Sequence, residues 1–152
     1  MTKALFTGLA ALIAIGGAAS AQDVFPKVNP GEWEYVAKTK VNVVSNGVPI
    51  AIPEQVSTEV KCVTAEEADL KPDEDDLEEG CTILGVQSDA TFVNMQVSCI
   101  SNGQKIDGSV ETKVHDAGNR IHTVFSAKGG DAATQLDINA VVTGERKGAC
   151  TE

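Results

Sequence analysis

Aromatic side chains are scarce in this chain: 152 residues hold one Trp, one Tyr and four Phe. Rings cannot fill the core of such a domain, so Val, Ile, Leu and Ala must do so. Positive charge is scarce as well, with 12 Lys and Arg against 22 Asp and Glu and a formal net charge of -10. A phosphate backbone or an anionic bilayer repels such a chain, which excludes nucleic acid and acidic membrane surfaces as partners. Reactive motifs are missing too. There is no Gly-x-Ser-x-Gly elbow, no His-Glu-x-x-His and no phosphate loop, so no catalytic residue is assigned and no cofactor is expected. The four cysteines, Cys62, Cys81, Cys99 and Cys150, have none of the close spacings of a zinc knuckle, a redox pair or a haem attachment site.

Long hydrophobic runs are confined to the N-terminus. Lys3 is the only charge in residues 1–21, and residues 4–15 are apolar except for Thr7 and Gly8. The run is short for a membrane span, which needs about 20 residues. It ends in Ala19-Ser20-Ala21, the small-x-small pattern of a signal-peptidase site. We therefore expect a signal peptide over residues 1–21, cleaved after Ala21, and a periplasmic or secreted protein without a membrane span. Gln22 stands where a lipid-modified chain would carry Cys. Losing Lys3 leaves 11 basic against 22 acidic residues and shifts the net charge from -10 to -11. The destination is oxidising, so the cysteines are expected to form two disulfides, each contributing about 2–4 kcal/mol.

The rest, residues 22–152, reads as one all-β domain. Residues 32–36 and 39–43 alternate with period 2, Asn46-Gly47 marks a turn, and Pro49 and Pro53 make the next stretch loop-like. Residues 56–63 resume the β pattern. Thr64 and Glu67 have the spacing of a capping box for a short helical turn, and residues 73–79 form an acidic loop. Successive hairpins follow: residues 82–87 with 91–100, 105–115 with 120–128, and a last strand over 134–146. The expected fold is roughly seven antiparallel strands in a curved sheet, small barrel or half-barrel.

Four cysteines allow three pairings. A three-residue turn at Asp89-Ala90-Thr91 sets Ser88 against Phe92 and, stepping outward, Cys81 against Cys99; a two-residue turn misses by one residue. Directly opposed residues lie within disulfide reach, which favours Cys81–Cys99 and leaves Cys62 for Cys150. Strand direction then requires residues 64–80 to run the length of the sheet, because only then does Cys150 return to the end where Cys62 lies.

Several segments resemble one family. Residues 30–35 (Pro-Gly-Glu-Trp-Glu-Tyr), residues 61–64, Gly80-Cys81, residues 97–99 and residues 144–150 are similar, in order, to the domain of unknown function 3617 family. The resemblance implies a small exported bacterial protein and brings no activity, cofactor or catalytic residue. A weaker likeness is to lipocalin-type barrels, through Gly31 and Trp33 on the first strand and Arg146 on the last. It implies barrel closure by Arg146 stacked on Trp33, a cation–π contact of about 0.5–2 kcal/mol.

Two histidines are the one tempting chemical pair. A two-residue Gly118-Asn119 loop makes His115 face His122 on the side of Glu111 and Lys113, with Val114, Thr123 and Phe125 on the other side. Facing imidazoles can take zinc, copper or nickel, although two ligands make a weak site and a solvated pair is the simpler expectation. Three readings follow. The first is a non-catalytic exported domain that binds a small apolar ligand or an envelope protein, with Val110, Val114, Ile121 and Phe125 lining the concave face. The second is a metal-responsive envelope protein using His115 and His122. The third is an enzyme with an unrecognised site.

Overall fold

A computed structural model describes residues 24–101 and 103–151. The export segment expected over residues 1–21 lies outside them. Eight antiparallel strands make one sheet: β1 (Gly31–Ser45), β2 (Val48–Ile50), β3 (Gln55–Val63), β4 (Cys81–Ser88), β5 (Phe92–Ser101), β6 (Gln104–His115), β7 (Arg120–Gly130) and β8 (Thr134–Gly148). The order across the sheet is β2-β1-β8-β7-β6-β5-β4, with β3 also paired to β1. Strands β2 and β3 share one edge of β1, against residues 43–45 and 31–39 respectively, while β8 takes the other edge. Among the described residues β3 and β4 do not pair, so the sheet stays open and does not close into a barrel.

The strand count exceeds the expected seven because Val48-Pro49-Ile50 forms a strand where the two prolines suggested a loop. Pro49 sits opposite Val44 on a short edge strand, a place where its missing N–H costs little. The stretches 32–36 and 39–43 are halves of one long strand, β1.

Alternation divides the sheet into two faces. Trp33, Tyr35, Ile121, Phe125, Val110, Val97 and Ile138 share one face by register and are buried or half-buried. Lys38, Lys40, Lys113, Lys128 and Glu145 lie exposed on the other. The apolar face is the inner one, and two glycines on it let neighbouring groups approach closely. A Cβ on Gly144 would lie 2.8 Å from both Ile121 Cγ1 and the Tyr35 ring, and one on Gly129 would lie 2.7 Å from Ile106 Cγ1. Neighbouring groups close in over these bare positions, as the missing side chain permits.

The chain between β3 and β4, residues 64–80, crosses this inner face as a strap from one edge of the sheet to the other. It starts at the end of the sheet that holds Cys62 and finishes at the end that holds Cys81, as the proposed pairing demanded. Both disulfides are present, Cys62–Cys150 and Cys81–Cys99. The register reached Cys81 opposite Cys99 by another route than expected. Asp89 N donates to Phe92 O, which leaves Ala90-Thr91 as a two-residue turn. Leu84 then bulges out between Ile83 and Gly85 and restores the missing residue.

Thr64 and Glu67 form the reciprocal capping bonds, Thr64 N to Glu67 Oε2 at 2.9 Å and Glu67 N to Thr64 Oγ1 at 3.3 Å. They close a turn over residues 65–68 and no helix follows, because Leu70 N is drawn away to Pro26 O. Further along, Asp73 Oδ1 caps a single 3-10 turn over Glu74–Asp76 in the acidic run.

Candidate functional site

The inner face has a covered end and an open end. At the covered end, residues 26–28 pair with residues 68–70 of the strap. Val28 N donates to Ala68 O, Leu70 N donates to Pro26 O, and Lys27 Nζ meets Asp69 Oδ2 at 3.2 Å. Beneath this ribbon Trp33 is 0 % exposed, and Val28, Val63 and Ala68 complete the buried cluster. Trp33 Nε1 donates to Asn29 O at 2.9 Å, and its ring stacks on Tyr35 with centroids 6.0 Å apart. Burial pushes the Tyr35 hydroxyl above its usual pKa, against the opposing pull of nearby Lys61.

Below the ribbon the strap stands off the sheet. A cleft of about 280 Å³ opens between Asp69, Leu70, Lys71 and Pro72 of the strap and Val93, Met95, Val110 and Thr112 of β5 and β6. Its floor is apolar because these strand residues all belong to the inner face. The one floor hydroxyl, Thr112 Oγ1, is already hydrogen-bonded to Thr123 Oγ1 at 2.8 Å.

The four residues expected to face a ligand therefore divide. Val110 lines the cleft. Val114 and Ile121 pack against the Trp33 cluster and serve the core. Phe125 lies on the same face, opposite Val110 on β7. Sequence reasoning missed Met95, Val93 and the strap residues Leu70, Lys71 and Pro72. The only available signal was Leu70, an isolated apolar residue ahead of the acidic run.

Trp33 and Arg146 are cross-strand partners, as the barrel likeness implied. The Arg146 Nε donates to Pro30 O at 2.8 Å, and the stacking partner of Trp33 is Tyr35. This arrangement secures the chain entering β1 and leaves the sheet open.

The histidine register needs correction. His115 lies opposite Arg120 and His122 opposite Lys113, so the two imidazoles are diagonal neighbours and do not face each other. The connection is four residues long, with Asp116 (φ 52°), Ala117 (φ 51°) and Gly118 (φ 89°) all left-handed. Asn29 holds this unusual loop. Its Nδ2 donates to Ala117 O at 3.0 Å and to Asn119 Oδ1 at 2.9 Å, and its N donates to Gly118 O. Nothing in the local sequence announces a contact 88 residues away. Among the described residues no group of three or more His, Cys, Asp or Glu is placed to hold a metal ion.

One electrostatic cluster guards the start of the strap. Lys61 Nζ meets Glu67 Oε1 at 2.8 Å. That contact and the bonds from Thr64 hold the Glu67 carboxyl down at about 2, from an ordinary 4.5.

The outer face offers a shallower depression of about 260 Å³ over Gln96, Asp107, Ser109, Ser126 and Lys128. Its polar groups are largely engaged with one another: Ser109 Oγ lies 3.2 Å from Ser126 Oγ, and Lys105 and Lys128 meet Asp107 and Asp137 at 2.9 and 3.3 Å. It makes no demand for a ligand comparable to that of the apolar cleft.

The family model described as a protein of unknown function (DUF3617) matches residues 28–150, and the chain belongs to that family. No curated protein and no solved structure matches it.

Proposed function

We propose that this is an exported, non-catalytic β-domain that holds a small apolar ligand against the inner face of its sheet, in the periplasm or outside the cell. The observation that carries the reading is the cleft under the strap, where Val93, Met95 and Val110 form an apolar floor roofed by Leu70 and Pro72. Monomeric soluble domains seldom leave a contiguous apolar face uncovered without a use for it, and concave, mostly apolar clefts are the usual seats of small ligands. Export is supported by the signal-like segment over residues 1–21 and by two disulfides, which persist in oxidising compartments. Membership of a family of unknown function is compatible with a non-catalytic β-domain and assigns no reaction.

The test is native mass spectrometry of the protein purified from its own envelope. The expected mass exceeds that of the oxidised chain from Gln22 onward by one retained ligand, and Met95→Trp, which fills the floor, abolishes the excess. A bare chain mass in the wild type overturns the small-ligand reading. The same face suits an envelope protein as partner; in-envelope crosslinking no richer than that of an unrelated acidic protein removes that form of the reading. For the metal-responsive alternative, zinc and copper are titrated into wild type and a His115→Ala, His122→Ala variant. The diagonal register leads us to expect equal binding by both.

A further inference from the structure

We propose that the cleft seats a single alkyl chain ending in an anionic headgroup, with the head at Lys71. This rests on the apolar-ligand reading above and narrows it to one chemical class. Three features of the cleft select the chain. Its volume of about 280 Å³ falls just below the usual range of ligand sites, about 300 to 1,000 Å³, so it admits one slender occupant and not the body of a two-chain lipid. No aromatic residue lines it, so a flat ring system finds no stacking partner. Apart from Lys71 at the rim, its polar side chains already have partners: Thr112 is bonded to Thr123, and Asp69 faces Lys27. Hydroxyls or amides brought to this floor would be left unpaired, whereas methylenes are not penalised. Met95, unbranched and polarisable, lets the floor adapt to a chain.

Lys71 selects the head. Of the two charged residues at the rim, Asp69 is compensated by Lys27 at 3.2 Å. Among the described side chains Lys71 has no carboxylate at ion-pair distance. A carboxylate or phosphate on the chain end supplies the missing partner, and an ammonium meets a like charge. The carboxylates of residues 73–79 make the longer-range field negative. The preference therefore acts at contact with Lys71 and not by steering.

The test uses four probes with the same chain: dodecanoate, dodecyl phosphate, dodecanol and dodecyltrimethylammonium, each below its micelle-forming concentration. They are titrated into the oxidised protein by calorimetry. The fluorescence of Trp33, the only Trp, reports movement of Leu70, which packs on its cluster and roofs the cleft. The two anions are expected to bind more tightly than the alcohol, and the cation least. Lys71→Glu should weaken both anions about threefold to tenfold at low salt and leave dodecanol unchanged. That side chain is exposed, so the comparison does not hinge on folding. Tighter binding of phosphate than of carboxylate points to a single-chain phospholipid as the source, and the reverse order to a free fatty acid. Dodecanol or the cation matching the anions, or Lys71→Glu changing nothing, overturns the headgroup assignment and leaves the apolar-ligand reading standing. If none of the four binds, both fall.

Discussion

The two ends of the inner face have similar apolar residues and different fates. At the covered end a second layer of chain, residues 26–28 paired with 68–70, turns Trp33, Val63 and Ala68 into a dry core. Toward the open end Phe125, Ile138 and Leu136 point the same way by register and stay partly exposed. Alternation along a strand decides which face is apolar. Whether that face becomes a core or a binding surface depends on a layer supplied from elsewhere in the sequence. The covered end holds the fully buried Trp33, while toward the open end burial is confined to smaller residues such as Val97 and Ala127.

Trp33→Ala should break the comparison most severely. Full burial puts its cost toward the upper end of about 3–5 kcal/mol in denaturant unfolding. Phe125→Ala on the open side should cost less than half as much, and equal losses would mean that the two ends share one core. The disulfides come next, since Cys62–Cys150 pins the covered end and Cys81–Cys99 the open one. They span 88 and 18 residues. The chain-entropy relation therefore makes removal of Cys62–Cys150 by paired Ala substitution costlier by about 1.4 kcal/mol. A smaller gap would locate residual structure in the unfolded chain around Cys62.

Asn29→Ala removes both side-chain bonds that hold the left-handed loop at 116–118, and about 1–2 kcal/mol should be lost. Asn29→Asp keeps an acceptor but no donor, so it should not rescue. Proton exchange at the amides of the β6–β7 loop would show whether the loss is local. The smallest effect is acidic. Glu67 is held at about 2 when folded against an ordinary 4.5, so its contribution is fully present above about pH 4.5. It fades as pH falls through that window toward about 2. Glu67 is exposed and screened, so the difference between wild type and Glu67→Gln should be small at pH 7 and vanish near pH 2. A difference that grows toward low pH would contradict the Lys61 and Thr64 contacts as its cause.

These contrasts also mark how far the residues alone could lead. Period-2 alternation placed nearly every strand and the correct inner residues, because faces depend only on parity. The cysteine pairing was legible for the same reason, although the two-residue turn and the Leu84 bulge are two departures that cancel. The histidine register was not legible. Ala117 in a left-handed conformation is locally unfavourable and is held by Asn29 from across the sheet. The cleft was half visible. Val110 followed from parity, while Lys71 and Pro72 reach it only because the strap is stretched between two distant edges. Membership of the family was legible in the Gly-x-Trp opening and the cysteine order, and it carries no chemistry with it.

The strap has one more consequence, which concerns the order in which the protein is made. Its two ends carry Cys62 and Cys81, the first two thiols in chain order, and they must not bond to each other. One waits for Cys99, 18 residues further along, and the other for Cys150, 88 residues further along. An oxidant that joins thiols in order of appearance would tie the strap into a loop and draw together two points that belong at opposite ends of the sheet. Maturation must therefore delay oxidation of Cys62 until Cys150 is within reach, or undo a premature bond by thiolate exchange.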